Sequence, residues 1–411
     1  MAAEVLAGAG LRVTVYERMP SVARKFLLAG RGGLNLTHSE PLPTFLTRYG
    51  EASQLLGPAI GAFSPDDLGS WCAGLGQVPF VGSSGRVFPA AMRASALLRA
   101  WQERLSELEV EIRVGHEWLG WIPEDVTSQR FRVAATGGGE GAPTSGGHEI
   151  VESADVTLLC LGGASWPKTG SNGAWVGPLE SHGVALNPLR AANSGFDVRW
   201  SQVFAERFAG IPVKNVAVSV AGSVPVRGEL MVVDDGVEGG AIYAVGRELR
   251  AQLDEHGVAE LTVDLRPDIR HEQIVDRLAR RRPKDSVSKV LERSVGLAPV
   301  AIGLLRESCD NHLPEEPDAL ATLIAATPIR IVSAQSLDRA ISTAGGIHLD
   351  EIDESFMLRS APGVFVAGEM LDWDAPTGGY LLQATFSTAV AAARGAIAWL
   401  DRPVRFTYYC G

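Results

Sequence analysis

The 411-residue sequence has few cysteines and none of the common catalytic motifs. Cys72, Cys160, Cys309 and Cys410 form no C-x-x-C pair, so we expect neither a disulfide framework nor a zinc site, and the reducing cytoplasm is the predicted location. None of the eight histidines belongs to an H-E-x-x-H pattern, and no G-x-S-x-G elbow is present. The sequence therefore predicts no metal site and identifies no catalytic acid, base or nucleophile.

Long apolar runs and an excess of positive charge are also missing. No apolar run reaches the roughly 18 residues that span a bilayer, so no membrane partner is expected. The net charge of −11 disfavours binding to nucleic acid, and the basic run 277–284 is expected to be a solvated helix face. The 46% hydrophobic and 21% charged residues indicate a soluble globular enzyme with two or three subdomains. We expect a small-molecule substrate, and the oligomeric state is left open.

The first residues have the pattern of the second half of a βαβ unit. Residues 2–9 predict a short helix, residues 11–16 alternate like a strand, and Glu17 follows directly. In a dinucleotide-binding domain such an acid holds the ribose hydroxyls, and a first strand with a G-x-G-x-x-G turn precedes the helix. Those glycines are absent here. We therefore expect that the first strand and the glycine loop are missing and that Met1 corresponds to an internal methionine.

Three segments share one design, in which a strand is followed by glycines and then by a turn or a helix start. Glycine is needed there because a Cβ would keep backbone N–H groups away from a cofactor. The strands of these segments are residues 11–16, 156–161 and 363–367. We expect all three in one sheet, with residues 156–161 buried on both faces. The pattern predicts an α/β fold with a Rossmann-like, dinucleotide-binding domain.

Two of the glycine segments offer specific chemistry to a nucleotide cofactor. Residues 30–35 supply backbone donors, the cation of Arg31 and the amide of Asn35; the alternative is a plain loop with a surface arginine. Gly378 and Gly379 precede the last predicted helix, whose N-terminus carries about half a positive charge. That charge would stabilise a reduced flavin; the alternative is an ordinary turn that caps a core helix.

Three motifs together resemble the aminoacetone oxidase-like family of NAD(P)/FAD-dependent bacterial flavoproteins, which also contains bile-acid steroid reductases. They are residues 30–37, residues 162–171, and residues 363–369 with 377–380. The resemblance runs from Met1 to about Leu400 and implies FAD as the cofactor. It implies that Glu17 holds the adenosine ribose and that Gly368 and Glu369 meet the ribityl–phosphate region. The predicted cofactor-binding residues are Glu17, Arg18, Gly30, Arg31, Gly32, Gly33, Asn35, Gly162, Gly163, Gly368, Glu369, Gly378, Gly379 and Tyr380.

The resemblance also implies a three-part architecture. We expect an FAD-binding domain in residues 1–185 and 342–402, an inserted β domain in 186–266 and 327–341, and a helical subdomain in 267–326, with a tail at 403–411. The expected function is an FAD-dependent oxidoreductase that passes a hydride between a small organic substrate and flavin. The sequence does not distinguish an oxidase from an NAD(P)H-dependent reductase. The alternative is a truncated, non-catalytic homologue that binds FAD poorly or not at all.

Overall fold

The computed structural model describes residues 1–29, 33–122, 130–135, 149–282 and 284–402. These residues form two compact units. The first consists of Met1–Arg190 and the chain from Thr343 onward, and the second of Ala191–Ser342. All the predicted cofactor-binding residues that the structure describes belong to the first unit, which is therefore the unit that concerns the site.

The first unit begins with short helices and strands. Its helices up to residue 185 are α1 (Ala2–Gly8), α2 (Arg24–Ala29), α3 (Leu42–Thr47), α4 (Ser53–Ala62), α5 (Pro65–Gly74), α6 (Ala94–Glu107) and α7 (Val176–Ser181), with 3-10 turns at Gly50–Ala52 and Pro167–Thr169. Its strands over the same stretch are β1 (Thr14–Glu17), β2 (Thr37–His38), β3 (Pro79–Val81), β4 (Arg86–Pro89), β5 (Glu111–Val114), β6 (His116–Trp121), β7 (Arg130–Ala135), β8 (Glu149–Ser153) and β9 (Thr157–Leu159). The predicted first helix and the strand that ends at Glu17 are both present.

Strand β10 (Leu186–Ala192) leads into the second unit, which is built on a closed barrel. The barrel strands are β11 (Phe196–Val198), β12 (Pro212–Val220), β13 (Val226–Val233), β14 (Gly236–Glu238), β15 (Ala259–Asp264) and β16 (Thr327–Ala334), in the order β11-β14-β13-β12-β15-β16. The helices of this unit are α8 (Gln202–Phe208), α9 (Gly240–Ala244), α10 (Gly246–His256), α11 (His271–Ala279), α12 (Val287–Val290), α13 (Pro299–Glu307) and α14 (Pro317–Ala325), with a π turn at Leu291–Val295 and a 3-10 turn at Leu337–Arg339. In β15, Ala259, Leu261 and Val263 are buried and alternate with more exposed residues, so one face of the strand fills the barrel core.

The chain returns to the first unit through β17 (Ser342–Ile347), which pairs with β10. It continues with 3-10 turns at Leu349–Glu351 and Gly368–Met370, with β18 (Val364–Val366) between them, and with α15 (Tyr380–Leu400). A Cβ at Gly395 would lie 2.6 Å from the Ser355 carbonyl oxygen, so glycine lets α15 pack closely against that segment. Within the described ranges, no helix is both long enough and apolar enough to cross a membrane.

The parallel strands form two separate pairs. β1 lies parallel to β5, with Thr14 opposite Glu111, and β9 lies parallel to β18, with Leu158 opposite Phe365. The expected α/β fold is confirmed, but the expectation of one sheet for β1, β9 and β18 is wrong. A strand joins a sheet only through main-chain hydrogen bonds at its edges, and no described strand bridges the two pairs.

One finer prediction about these strands is also wrong. The run around β9 is not buried on both faces: Leu159 is buried, whereas Leu158 is half-buried. Strand β5 does not join the antiparallel meander that follows it. That meander is β6-β7-β8, and β5 pairs with β1. Apolar composition identified the strands correctly, but it carries no information about which edge of a strand finds a partner.

Candidate functional site

The carboxylate of Glu17 stands at the carboxyl end of β1, as predicted. Its Oε1 accepts a hydrogen bond from the Met19 backbone N–H at 2.9 Å. Burial raises the pKa of Glu17 above its ordinary 4.5, although this hydrogen bond and the positive charges of Arg18 and Arg24 oppose the rise. Arg18 donates from Nη1 to the Gly170 carbonyl at 3.4 Å. The site thus contains a half-buried carboxylate that would gain from further hydrogen-bond donors.

The segment 162–171, here called the tryptophan loop, contacts the Glu17 region with one end and the Glu369 region with the other. Gly170 has φ +114°, and a Cβ there would lie 2.8 Å from Met19 Cγ and 3.7 Å from Glu17 Oε1. At the other end, a Cβ on Gly163 would collide with the Thr343 side chain and lie 3.2 Å from the Glu369 carboxyl carbon. Glycine is required at both ends because neighbouring groups approach closely.

Glu369 ties several chain segments together through its carboxylate. Lys25 Nζ donates to Oε2 at 2.7 Å, and the Gly163 N–H donates to the same oxygen at 3.3 Å. Oε1 accepts the Thr343 N–H at 2.9 Å. Lys25 also donates to Ser165 Oγ at 2.8 Å. Protein donors therefore occupy the Glu369 side chain, which holds the surrounding loops together.

Thr343 completes this network at the tryptophan loop. Its Oγ1 accepts the backbone N–H groups of Ala164 at 2.9 Å and of Ser165 at 3.2 Å. The sequence patterns identified neither Lys25 nor Thr343. Lys25 lies 344 positions before Glu369, so no local spacing connects the two. The sequence could have indicated Lys25 only through its position on helix α2, between Glu17 and residues 30–35, the two predicted cofactor segments.

A second group of residues surrounds the start of α15. Gly378 and Gly379 have φ of +131° and +97°, and no side chain caps the helix there. The first N–H groups of α15 therefore retain their positive end charge. A Cβ on Gly379 would lie 2.5 Å from the Thr37 carbonyl carbon, so the helix start lies against β2. Within the described part of the chain, Asn35 Oδ1 and Thr37 Oγ1 are buried without a hydrogen-bond partner.

Tyr380 begins α15 with its side chain directed into the protein. Its hydroxyl donates to Glu40 Oε1 at 2.7 Å, and its ring stacks on His38 with centroids 5.5 Å apart. Burial, with the hydrogen bond to Glu40, raises the pKa of the Tyr380 phenol and keeps it protonated. Tyr49 donates from its hydroxyl to the Tyr380 carbonyl at 2.8 Å. A contact between Tyr380 and a cofactor would accordingly involve its main chain.

The remaining predicted residues are placed as follows. Gly30, Arg31 and Gly32 lie outside the described residues. Gly33 has φ +110°, and a Cβ there would lie 2.6 Å from Met92 Cε. Gly162 accepts the Trp175 indole N–H at its carbonyl, 2.8 Å away, so the protein already uses that carbonyl.

Helix α15 connects the Glu17–Glu369 group of residues with the group around its own start, which includes Asn35 and Gly379. The Gly368 N–H donates to Thr388 Oγ1 at 3.0 Å, and a Cβ on Gly368 would lie 3.3 Å from Thr385 Cγ2, both on this helix. The helix start lies against Thr37, in the group that includes Asn35. The structure therefore brings the Glu17–Glu369 group and the Asn35–Gly379 group to one framework within the first unit.

Parallel strands with glycine turns at their carboxyl ends, and an acid at the end of β1, define a Rossmann-type nucleotide-binding unit. Residues 1–395 match the family described as HI0933-like protein Rossmann domain. The chain belongs to this family, which confirms the predicted family resemblance and its cofactor, FAD.

Individual proteins resemble the chain over nearly its whole length. A 3-dehydro-bile acid delta(4,6)-reductase of Clostridium scindens is 22% identical over 404 residues, which cover 94% of this chain and 92% of that protein. The structure of a 3-ketosteroid delta1-dehydrogenase from Sterolibacterium denitrificans matches with a TM-score of 0.51 at 12% identity, covering 97% of each chain. An E. coli quinol fumarate reductase matches with a TM-score of 0.50 at 12% identity, covering 97% of this chain and 68% of that one. At such identities the two structures are evidence for the fold.

Proposed function

We propose that this chain binds FAD and passes a hydride between a small organic substrate and the flavin. The observation that carries the proposal is the tryptophan loop, which joins the Glu17 carboxylate to the Glu369 network within a Rossmann-type unit. FAD has an adenosine end and a flavin end, so it needs a site with two different ends. The Glu17 region and the uncapped start of α15 have the chemistry that these two ends require.

The described residues offer groups that suit the adenosine end and the flavin end of the cofactor. Glu17 would accept hydrogen bonds from the adenosine ribose hydroxyls, which would compensate the burial of its charge. Asn35 Oδ1 and Thr37 Oγ1 are buried without a partner, and a buried acceptor that stays unpaired costs about 1–3 kcal/mol, so both atoms suit a ligand that donates hydrogen bonds. The N-terminus of α15 would stabilise negative charge at the pyrimidine side of the flavin. When bound, the flavin supplies the hydride chemistry, for which the patterns reveal no protein side chain.

For the substrate, we propose a steroid-like ketone with a conjugated double bond, which the enzyme reduces. The bile-acid reductase of Clostridium scindens supports this class, because the similarity extends over nearly the full length of both chains. Exposed apolar side chains near Gly33 are consistent with an apolar substrate: Met92 is 38% exposed and packs against that glycine. Oxidation of a small amine, the aminoacetone oxidase activity, is the second candidate. A cytoplasmic location stays part of the proposal.

The experiment is anaerobic reduction of the FAD-loaded protein, followed by addition of a candidate acceptor. We expect NADH or NADPH to bleach the flavin absorbance and a 3-oxo-4,6-diene steroid to restore it. Bleaching by aminoacetone alone, with reoxidation by oxygen, would support the oxidase instead. If the purified chain does not take up FAD, the alternative of a non-catalytic homologue is correct.

A further inference from the structure

Trp166, in the middle of the tryptophan loop, has a backbone conformation that is rare for its residue type. Its φ and ψ are +55° and +58°, the left-handed region that suits glycine. The next residue is Pro167, and the ring of a proline restricts the preceding residue to extended conformations. A bulky side chain directly before proline is therefore strained in this conformation.

Neighbouring groups hold Trp166 in that conformation. Its carbonyl accepts both the backbone N–H of Thr169 at 2.8 Å and the Thr169 hydroxyl at 2.7 Å. On its other side, Ser165 is fully buried and accepts the hydrogen bond from Lys25. The loop is thus fixed on both sides of a residue whose own backbone is strained. Strain that the surroundings enforce in this way is characteristic of functional positions.

The Trp166 side chain stays partly exposed in the fold. It is 39% exposed, whereas Trp175, a few residues further along the chain, is buried. A glycine at position 166 would adopt the same backbone without strain. The conformation therefore serves to present an aromatic ring at the surface of the loop.

The backbone that carries this ring leads directly to the Glu17 region. Pro167–Thr169 form a single 3-10 turn, after which Gly170 lies against Met19 and Glu17 Oε1. Arg18 donates to the Gly170 carbonyl and fixes the same end of the turn. Trp166 is thus one short turn from the carboxylate to which the proposed function assigns the adenosine ribose.

We propose that the Trp166 indole is the stacking surface for the adenine ring of FAD. The inference rests on the proposed function, because it takes the position of the adenine from Glu17. Adenine is planar, is attached directly to the ribose, and stacks favourably on an aromatic face. The strained backbone of Trp166 is the means by which the loop directs its ring to that ligand.

The test compares ligands with and without adenine, using the full chain freed of bound flavin. FAD, ADP and FMN are titrated against the wild type, Trp166→Ala and Trp166→Phe. Stacking of a base on an aromatic side chain corresponds to a change of about 5- to 150-fold in affinity. We expect Trp166→Ala to lose FAD and ADP affinity by such a factor and to keep its FMN affinity. Trp166→Phe should retain most of the affinity for all three ligands.

A third variant separates ligand binding from folding. Trp166→Gly relieves the backbone strain, so we expect it to melt no lower than the wild type while its FAD affinity falls. Unchanged FAD affinity in Trp166→Ala, or equal losses for FAD and FMN, would overturn the adenine-stacking inference and leave the proposed function intact. A lower melting temperature of Trp166→Gly, in parallel with weaker binding, would assign the residue a structural role. Failure of the wild type to bind FAD would instead contradict the proposed function.

Discussion

Lys25 Nζ lies 2.7 Å from Glu369 Oε2, although 344 positions separate the two residues in the chain. The pair joins helix α2 to the turn after β18, and the same carboxylate holds the backbone of Gly163 and Thr343. The side chains of Lys25 and Glu369 are 30% and 16% exposed, so water screens the pair only in part. This network therefore determines the geometry of the loops that would surround the cofactor.

Replacing Glu369 should destabilise the first unit. In Glu369→Gln the ammonium of Lys25 loses its counter-charge. The amide keeps only one oxygen, so either the Gly163 or the Thr343 backbone N–H loses its acceptor. We expect a loss of about 1–3 kcal/mol in the free energy of unfolding, measured by urea titration. The matched control is Glu149→Gln, which removes the exposed pair with Arg132 and should change stability by less than about 1 kcal/mol. Equal losses in the free energy of unfolding for the two substitutions would show that the Glu369 network contributes no more than an exposed ion pair.

Glu17 should make FAD binding depend on pH. The proposed function has its ionised form accept hydrogen bonds from the ribose, and burial raises the pKa of Glu17 above 4.5. As the pH falls through that raised pKa, the carboxylate becomes protonated and the affinity for FAD should decrease. Glu17→Gln should bind more weakly, by about 1–3 kcal/mol, and its affinity should no longer change over this pH range. The measurement is the FAD dissociation constant between pH 4.5 and 7; the same slope in both proteins would exclude Glu17 from the role.

The Glu17 carboxyl should make the cofactor-free protein more stable as the pH falls, which is the opposite of its effect on FAD affinity. A pKa that is raised by folding means that the folded protein binds the proton more tightly than the unfolded chain. The stability that Glu17 contributes is then fully present below its ordinary pKa of 4.5 and is lost as the pH rises through the raised pKa. Glu17→Gln should abolish this part of the pH dependence in urea unfolding. If the wild type and the variant give parallel curves, the pKa of Glu17 is not raised by folding.

The contact between Gly379 and β2 should not tolerate a side chain. A Cβ at Gly379 would lie 2.5 Å from the carbonyl carbon of Thr37, and backbone atoms cannot move aside as a flexible side chain can. The positive φ adds strain, so we expect Gly379→Ala to destabilise by more than about 2 kcal/mol. Gly8→Ala is the control, because nothing lies within 4 Å of a Cβ there and alanine favours the helix. Similar melting temperatures for the two variants would contradict the close contact.

Local pattern was sufficient to predict the elements that carry the site. The alternation before Glu17 predicted β1, and the apolar run after the glycines predicted α15, which begins at Tyr380. Pairing was not predictable in the same way. Whether β1 and β9 share a sheet depends on main-chain partners at their edges, and side-chain pattern contains no such information.

The polar network of the site depends on distant contacts, which a single sequence does not reveal. Lys25 and Thr343 matter because folding brings both to Glu369, and neither has a motif of its own. Tyr380 shows the converse. Its hydroxyl is bonded to Glu40 inside the protein, a contact that its position beside two glycines did not indicate, and its contact with the cofactor stays a prediction.

The most direct test of FAD binding by this chain is the absorbance spectrum of the purified protein after it is mixed with FAD and passed through a desalting column. We expect the flavin absorbance to elute with the protein at one FAD per chain, and Glu17→Gln to retain less flavin under the same conditions. A protein fraction without flavin absorbance, from wild-type chain that melts cooperatively, would contradict the proposal that this chain is an FAD-dependent oxidoreductase.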